Sequence, residues 1–358
     1  MIMKTRRMII ALALLAVGCT AKTEPESTGS DACLNLTFPQ LMETRATVAA
    51  NDGEKNIKKL FLAVFDASGK LENSHACTSA EIENIGSTGF SMKVKRGKKT
   101  VWAVANVDVS KFGSAKTLTA FESVAVSLSD ASGLDDFAMK GSLKDLDVNS
   151  STPVDASITL TRFACRVSLT KVTNSLPESY GAMQVKSIYL ANVVCNDNIA
   201  QTASPSTWCN RLGHKGTKLT EANVVGNGST AAENAVMTYC SVSASVAAGK
   251  SQTIAGKQVY GFRNASEANP VVRASGFPAN GCCSVLYVIA TVGGTDYWYP
   301  VAVKGLSSNN NYNIELTVTM PGQRPGDEDF GSLIDKGEAK ALITVSDWTG
   351  GATYTEVI

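Results

Sequence analysis

The sequence predicts an all-β protein of two tandem β-sandwich domains. Apolar residues recur with a period of two along most of the 358 residues, the spacing that lines one face of a pleated strand. The runs are short. Turn formers separate them at Asp52-Gly53, Ser68-Gly69, residues 86–89, Asn227-Gly228, Asn280-Gly281 and Gly293-Gly294. No long segment carries a helical stripe, which disfavours a parallel α/β sheet with crossover helices.

In chain order, the amino terminus is an address. Lys4, Arg6 and Arg7 precede an apolar run over residues 8–17, too short for a hydrocarbon core of about 30 Å. Residues 1–18 are assigned as a signal peptide. Ala16-Val17-Gly18-Cys19 brings small residues up to a cysteine, as a bacterial lipoprotein box does, so Cys19 is the expected lipidation site. The competing reading is an ordinary thiol beside a conventional cleavage site. Residues 19–45 are assigned as a propeptide that includes a first short strand over 33–38 and ends in a polar stretch with one arginine, Arg45.

Further strands are predicted at residues 57–66, 90–95, 100–107, 121–128, 158–170, 185–193, 285–292, 297–304 and 312–320. In the last of these Ile314, Leu316, Val318 and Met320 face one way and Asn313, Glu315, Thr317 and Thr319 the other, the pattern of a sheet with one wet face. Residues 130–157 turn polar, which places a domain boundary near 155, with one sandwich over 46–155 and a second over 156–358. Within 158–170 the apolar phase slips at Arg162, as a bulge or a crossing between sheets would require. Residues 196–235 form a weakly patterned insertion, either a functional loop or a decoration. Residues 321–337 mix proline, glycine and charges of both signs and are assigned as a linker. Beyond it, over 339–358, Ala339, Ala341, Ile343 and Val345 alternate with Lys340, Leu342, Thr344 and Ser346. A terminal strand on a tether that stretches to about 50 Å need not pair only with its own domain.

Composition narrows the chemistry. Lys and Arg number 33 against 32 Asp and Glu, so the chain lacks the basic footprint of a nucleic-acid binder. Its two histidines, His75 and His214, leave no His-rich metal centre and little scope for a His-based catalytic dyad. Besides Cys19 there are Cys33, Cys77, Cys165, Cys195, Cys209, Cys240, Cys282 and Cys283, with no C-x-x-C spacing, and most are expected to be small buried hydrophobes. Cys195, Cys209 and His214 lack the second ligand pair of a zinc finger or ribbon. Cys282 and Cys283, adjacent in a strand pattern, would point to opposite faces rather than pair with each other. Asp135-Asp136 and Asp327, Glu328 and Asp329 lie in turn and linker sequence, where solvated charge explains them better than glycoside hydrolysis. With no G-x-S-x-G, H-E-x-x-H or P-loop motif, no enzyme activity, cofactor or metal is expected.

Taken together, the lipoprotein leader, Arg45-Ala46, Phe65-Asp66 with Gly69-Lys70, the run from Thr161 through Arg162, Phe163, Ala164, Cys165 and Arg166 to Val167, Tyr297-Trp298-Tyr299-Pro300-Val301, residues 312–319 and Val345-Ser346-Asp347-Trp348 resemble the type V fimbrial subunits of Bacteroidales, the fimbrillins. The order and spacing of these segments carry the likeness, across nearly the whole chain. The resemblance implies two transthyretin-like β-sandwiches, export as a lipoprotein to the outer membrane, and trimming by an arginine-specific protease at Arg45-Ala46. It further implies that loss of the first strand opens a groove, which an identical or related subunit fills head-to-tail with its carboxyl-terminal strand, building a cell-surface fimbrium. Carried onto this chain, the donor strand holds Ala341, Ile343, Val345, Trp348, Tyr354 and Ile358 as candidate groove-filling residues. A host protein or glycan is a candidate further partner in adhesion. The alternatives are a tip adhesin or anchor of the same system, or an unrelated surface lipoprotein enzyme or glycan-binding protein.

Overall fold

The computed structural model describes residues 30–39, 52–131, 133–149, 152–210, 235–268, 281–324, 339–348 and 353–357. The first half contributes β1 (Asp31–Thr37), β2 (Leu60–Phe65), β3 (Leu71–Cys77), β4 (Phe90–Lys95), β5 (Gly97–Ala105), β6 (Ala125–Ser127), β7 (Met139–Val148), β8 (Val154–Ser157) and β9 (Thr161–Arg162). Five of these form a sheet in the order β3-β2-β5-β7-β9, and three form a second sheet in the order β4-β1-β8. The protein is an all-β sandwich, as the alternation predicts. Strand β2 is buried on both faces, which is why its sequence LFLAVF is a continuous apolar run. Leu60, Leu62 and Val64 pack with Leu34, Leu36, Met92 and Val94 of the three-stranded sheet. Phe61, Ala63 and Phe65 enter a second core with Phe112 and Phe121.

Two short helices punctuate this half, α1 (Ser79–Thr88) and α2 (Leu118–Glu122). Thr78 caps α1, accepting the Glu81 N–H while the Glu81 carboxylate accepts the Thr78 N–H, a capping box written in the sequence as T-x-x-E. The strand expected over 121–128 is corrected. Thr117 caps α2 at its start, β6 is three residues long, and a 3-10 turn follows at Leu128–Asp130. The apolar residues there serve as separate anchors rather than as one strand face: Phe121 stacks on Phe112 with centroids 4.9 Å apart and meets Phe65 edge-on at 5.3 Å.

The second half contributes β10 (Ala164–Asn174), β11 (Met183–Ala191), β12 (Val193–Val194), β13 (Asn196–Asn198), β14 (Trp208–Cys209), α3 (Ala235–Thr238), β15 (Tyr239–Val246), β16 (Ser251–Thr253), β17 (Gln258–Phe262), β18 (Ser284–Val292), β19 (Thr295–Val303), β20 (Asn310–Val318), β21 (Ala339–Asp347) and β22 (Thr353–Val357). One sheet runs β16-β10-β20-β21-β22, with β17 also paired to β10, and the other runs β15-β11-β18-β19. Val167, Leu169 and Ile314 of the first sheet share a core with Ile188, Leu190 and Val288 of the second. The phase slip at Arg162 is a crossing between sheets: β9 pairs with β7, and after the single residue Phe163 β10 starts the next sheet. Strands β6 and β13 pair across the two halves, Val126 opposite Asp197.

Cys195 and Cys209 are joined as a disulfide beside the β12–β14 ladder. That corrects the expectation of isolated buried thiols for this pair. Among the described residues the remaining cysteines are free, and Cys282 and Cys283 are buried side by side just ahead of β18 without bonding each other.

Candidate functional site: the seats of the first and last strands

Strand β1 is the middle of its sheet. It runs antiparallel to β4, from Asp31 opposite Lys95 to Leu36 opposite Phe90, and parallel to β8, from Leu34 opposite Val154 to Thr37 opposite Ser157. Among the described residues it is the one ladder partner of both strands. Its sequence alternates, and the burial follows: Leu34, Leu36 and Phe38 are fully buried, and Ala32 nearly so. Each of the three large side chains contributes roughly 1.5–3 kcal/mol by leaving water. The outward face is polar. Asn35 donates to Asp155 at 3.0 Å, Ser91 donates to Asn35 at 2.5 Å, and Lys95 pairs with Asp31 at 2.8 Å. The Lys95 ammonium, by hydrogen bond and charge, holds the Asp31 carboxyl below the usual range.

Removing such a strand would do two things at once. The N–H and C=O groups of β4 and β8 would lose their partners, and a trough lined by Leu62, Ile85, Met92 and Ile158 would open to water. An extended segment with apolar residues at every second position restores both.

Strand β21 is such a segment, and here it is seated in its own protomer. It pairs antiparallel with β20, from Asn310 opposite Asp347 to Val318 opposite Ala339, and carries β22 on its other edge. Ala339, Ala341, Ile343 and Val345 are buried, while Lys340 is exposed. Directly after the strand comes Trp348, 3% exposed, whose backbone N–H donates to the Asn309 carbonyl at 2.9 Å.

Trp348 is held by charges that periodicity alone does not reveal. Its indole Nε1–H donates to Glu54 Oε2 at 3.0 Å. Glu54, wholly buried in a 3-10 turn at Asp52–Lys55, also receives the Arg166 guanidinium at 2.8 Å and the Tyr260 hydroxyl at 2.5 Å. Arg162 donates to the Glu54 carbonyl at 3.0 Å. Arg162 and Arg166 lie over the Trp348 ring at 4.7 and 5.1 Å, and Tyr260 stacks on it at 5.7 Å. Burial lowers Arg162 to about 10, so it remains a cation at neutral pH. Burial, reinforced by the Glu54 charge, pushes the Tyr260 phenol up, so it stays a donor. The sequence holds one signal for this site, two arginines interrupting the apolar pattern between Arg162 and Val167.

Of the residues singled out in the sequence, the structure buries Ala341, Ile343 and Val345 along β21 and Trp348 just past its end. The backbone of Tyr354 pairs opposite Val345. Cys19, Arg45, Ala46 and Ile358 lie outside the described residues, as do His214, Asp327, Glu328 and Asp329. Asp135 pairs with the exposed Lys58 at 2.7 Å, and Asp136 accepts the Gly133 N–H at 3.0 Å, a turn with solvated charges. The disulfide takes Cys195 and Cys209 out of any zinc site. Pro321–Arg324 runs back along β19, where Trp298 and Gln323 bond through their backbones at 2.8 and 3.0 Å.

The resemblance to the type V fimbrial subunits is borne out by comparison. Residues 32–162 match the family described as Major fimbrial subunit protein (FimA). The solved structures that share the fold include a candidate cell adhesion protein from Bacteroides eggerthii, 16% identical with a TM-score of 0.61 over 89% of this chain and 97% of its own. A fimbrilin from Porphyromonas gingivalis is 14% identical with a TM-score of 0.56 over 90% of this chain and 98% of its own. The tip fimbrial protein Mfa3 from the same organism is 14% identical with a TM-score of 0.51 over 89% and 100% of the two chains. No curated protein matches the chain.

Proposed function

From a chain that resembles the Bacteroidales fimbrial subunits in sequence and shares the fold of solved fimbrial proteins, we propose a structural pilin subunit that polymerises by exchange of terminal strands. One observation carries the reading: β1, an alternating strand close to the amino terminus, is the shared ladder partner of β4 and β8. Cleavage at Arg45-Ala46 cuts β1 from the rest of the chain, and its departure leaves a groove that selects a strand with apolar residues two apart. Ala341, Ile343 and Val345 repeat the spacing of Ala32, Leu34 and Leu36. Because the donor leaves one end of a subunit and enters the other, the contact is head-to-tail and does not close, which yields a filament. Before trimming, lipid on Cys19 would hold the subunit at the outer membrane. The proposed division starts with a propeptide over 19–45. A first sandwich from residue 46 runs past the expected boundary near 155 to the crossing at Arg162, because β8 and β9 pair within its sheets. A second sandwich extends from β10 to 358, and within it a tether begins after the Gln323 pairing with Trp298 and leads to the donor region 339–358.

The test is processing of the purified precursor, lacking its lipid, by an arginine-specific protease. A stalk subunit is nicked at Arg45, sheds residues 20–45 and forms ladders that resist mild detergent. A chain that stays monomeric after clean removal of that segment is not such a subunit. Deleting residues 339–358 is expected to leave the nick intact and abolish the ladders; undiminished ladders would place the donor elsewhere. A tip adhesin would accept a donor strand yet fail to add further copies of itself.

A further inference from the structure

The rim of the β1 seat carries a cluster of side chains that strand exchange does not use. His75 and Cys77 stand two apart on β3, the edge strand of the five-stranded sheet, and so lie on one face of it. They pair opposite Leu62 and Leu60, whose side chains pack toward β1, so that shared face is the groove side. Glu81 arrives from the first turn of α1, its carboxylate oxygens 3.0 and 3.1 Å from His75 Nε2. One ligand atom from each of the three residues lies within 4.8 Å of the others, and all three residues are partly exposed.

We propose that His75, Cys77 and Glu81 form a zinc-class divalent metal site at the edge of the first-strand groove. The donor set argues for the ion. A thiolate, an imidazole and a carboxylate suit a borderline ion such as zinc, whereas calcium or magnesium would want oxygen throughout. Three protein ligands leave a fourth tetrahedral position open to water, and their partial exposure provides an entry path. The site is also set in advance. Thr78 donates from its backbone N–H to Glu81 Oε2 at 2.7 Å and orients the carboxylate, while His75 stacks on Phe90 with centroids 4.7 Å apart. An ion bound here ties β3 to α1. The far end of α1 abuts β1, where Gly89 approaches the Leu36 carbonyl so closely that a Cβ would lie 2.9 Å from it. The metal would thus brace one wall of the groove, a role that rests on the strand-exchange reading; metal binding itself does not.

The test is titration of the full chain, lacking its lipid, with zinc in competition against a chromogenic chelator, and with cobalt(II) as a spectroscopic probe. The wild-type protein is expected to take up one equivalent and to show sulfur-to-cobalt charge transfer. His75→Ala and Cys77→Ser should each weaken zinc binding at least tenfold, and Cys77→Ser should abolish the charge-transfer band. Glu81→Gln separates ligand from cap, because glutamine keeps the capping box but loses the charge. It should weaken zinc while leaving the helical circular dichroism unchanged. Cys240→Ser, a partly exposed thiol on another strand, should bind as wild type does. Absence of stoichiometric binding, or binding that survives Cys77→Ser, overturns the site whatever the outcome of the polymerisation assay.

Discussion

Glu54 shows how much one buried charge can hold. Its carboxylate accepts from Arg166, Tyr260 and the Trp348 indole, so it joins the start of the first sandwich to two strands of the second and to the end of β21. Removing one partner of a buried pair leaves the other uncompensated, at a cost of about 3–5 kcal/mol. Glu54→Gln is therefore expected to lower the unfolding free energy by about 3 kcal/mol in urea titrations and to shift the emission of Trp348. A change under about 1 kcal/mol would mean the network is not closed in solution. Asp31 offers a gentler test at the other strand. Its depressed carboxyl contributes stability that is complete above the ordinary carboxylate range and is lost as pH falls through its lowered value. Carboxyl NMR titration should show that midpoint rising to its ordinary position in Lys95→Ala; no movement would mean that the pair is absent in solution.

At the scale of elements, two features govern how the strands meet. Gly141, in β7, lies where the segment entering β9 crosses over it, and a Cβ there would run into the Thr159 carbonyl and the Ile158 side chain. Gly141→Ala should cost about 1–3 kcal/mol, because backbone on the opposing side cannot rotate away as a flexible side chain would; calorimetry checks it. The Cys195–Cys209 bridge closes a loop of sequence separation 14 next to β12 and β14. In the chain-entropy description a loop of that size stabilises by about 3 kcal/mol. Reduction, or the double substitution to serine, should lower the melting temperature by several degrees and leave β1 and β21 in place. The bridge was not legible from spacing because no C-x-x-C or ribbon pattern announces it. Strand pairing brought residues 193–195 and 208–209 together.

The whole molecule is a pair of sandwiches, with one strand near each end of the chain, β1 and β21, paired within it. No helix among the described residues is long and apolar enough to cross a membrane, and the proposed attachment is the lipid on Cys19. Cys19→Ser is expected to lose fatty-acid labelling and outer-membrane association while the body folds unchanged. Labelling that persists would move the anchor elsewhere.

The sequence by itself determined the all-β architecture, the terminal strands and the family resemblance. All three rest on local quantities, since side-chain period, turn residues and short segments can be read within a few positions. The register of β21 on β20, the Glu54 network, the disulfide and the meeting of His75 and Cys77 with Glu81 were decided by tertiary structure alone. The first three depend on residues brought together by sheet pairing or by the crossing at Arg162, and the last on the tight turn that sets α1 against the end of β3. α1 falls between the two. Its T-x-x-E cap was present in the sequence, but its apolar face of Ile82 and Ile85 is too small to announce a helix until the groove beneath provides the surface that buries it.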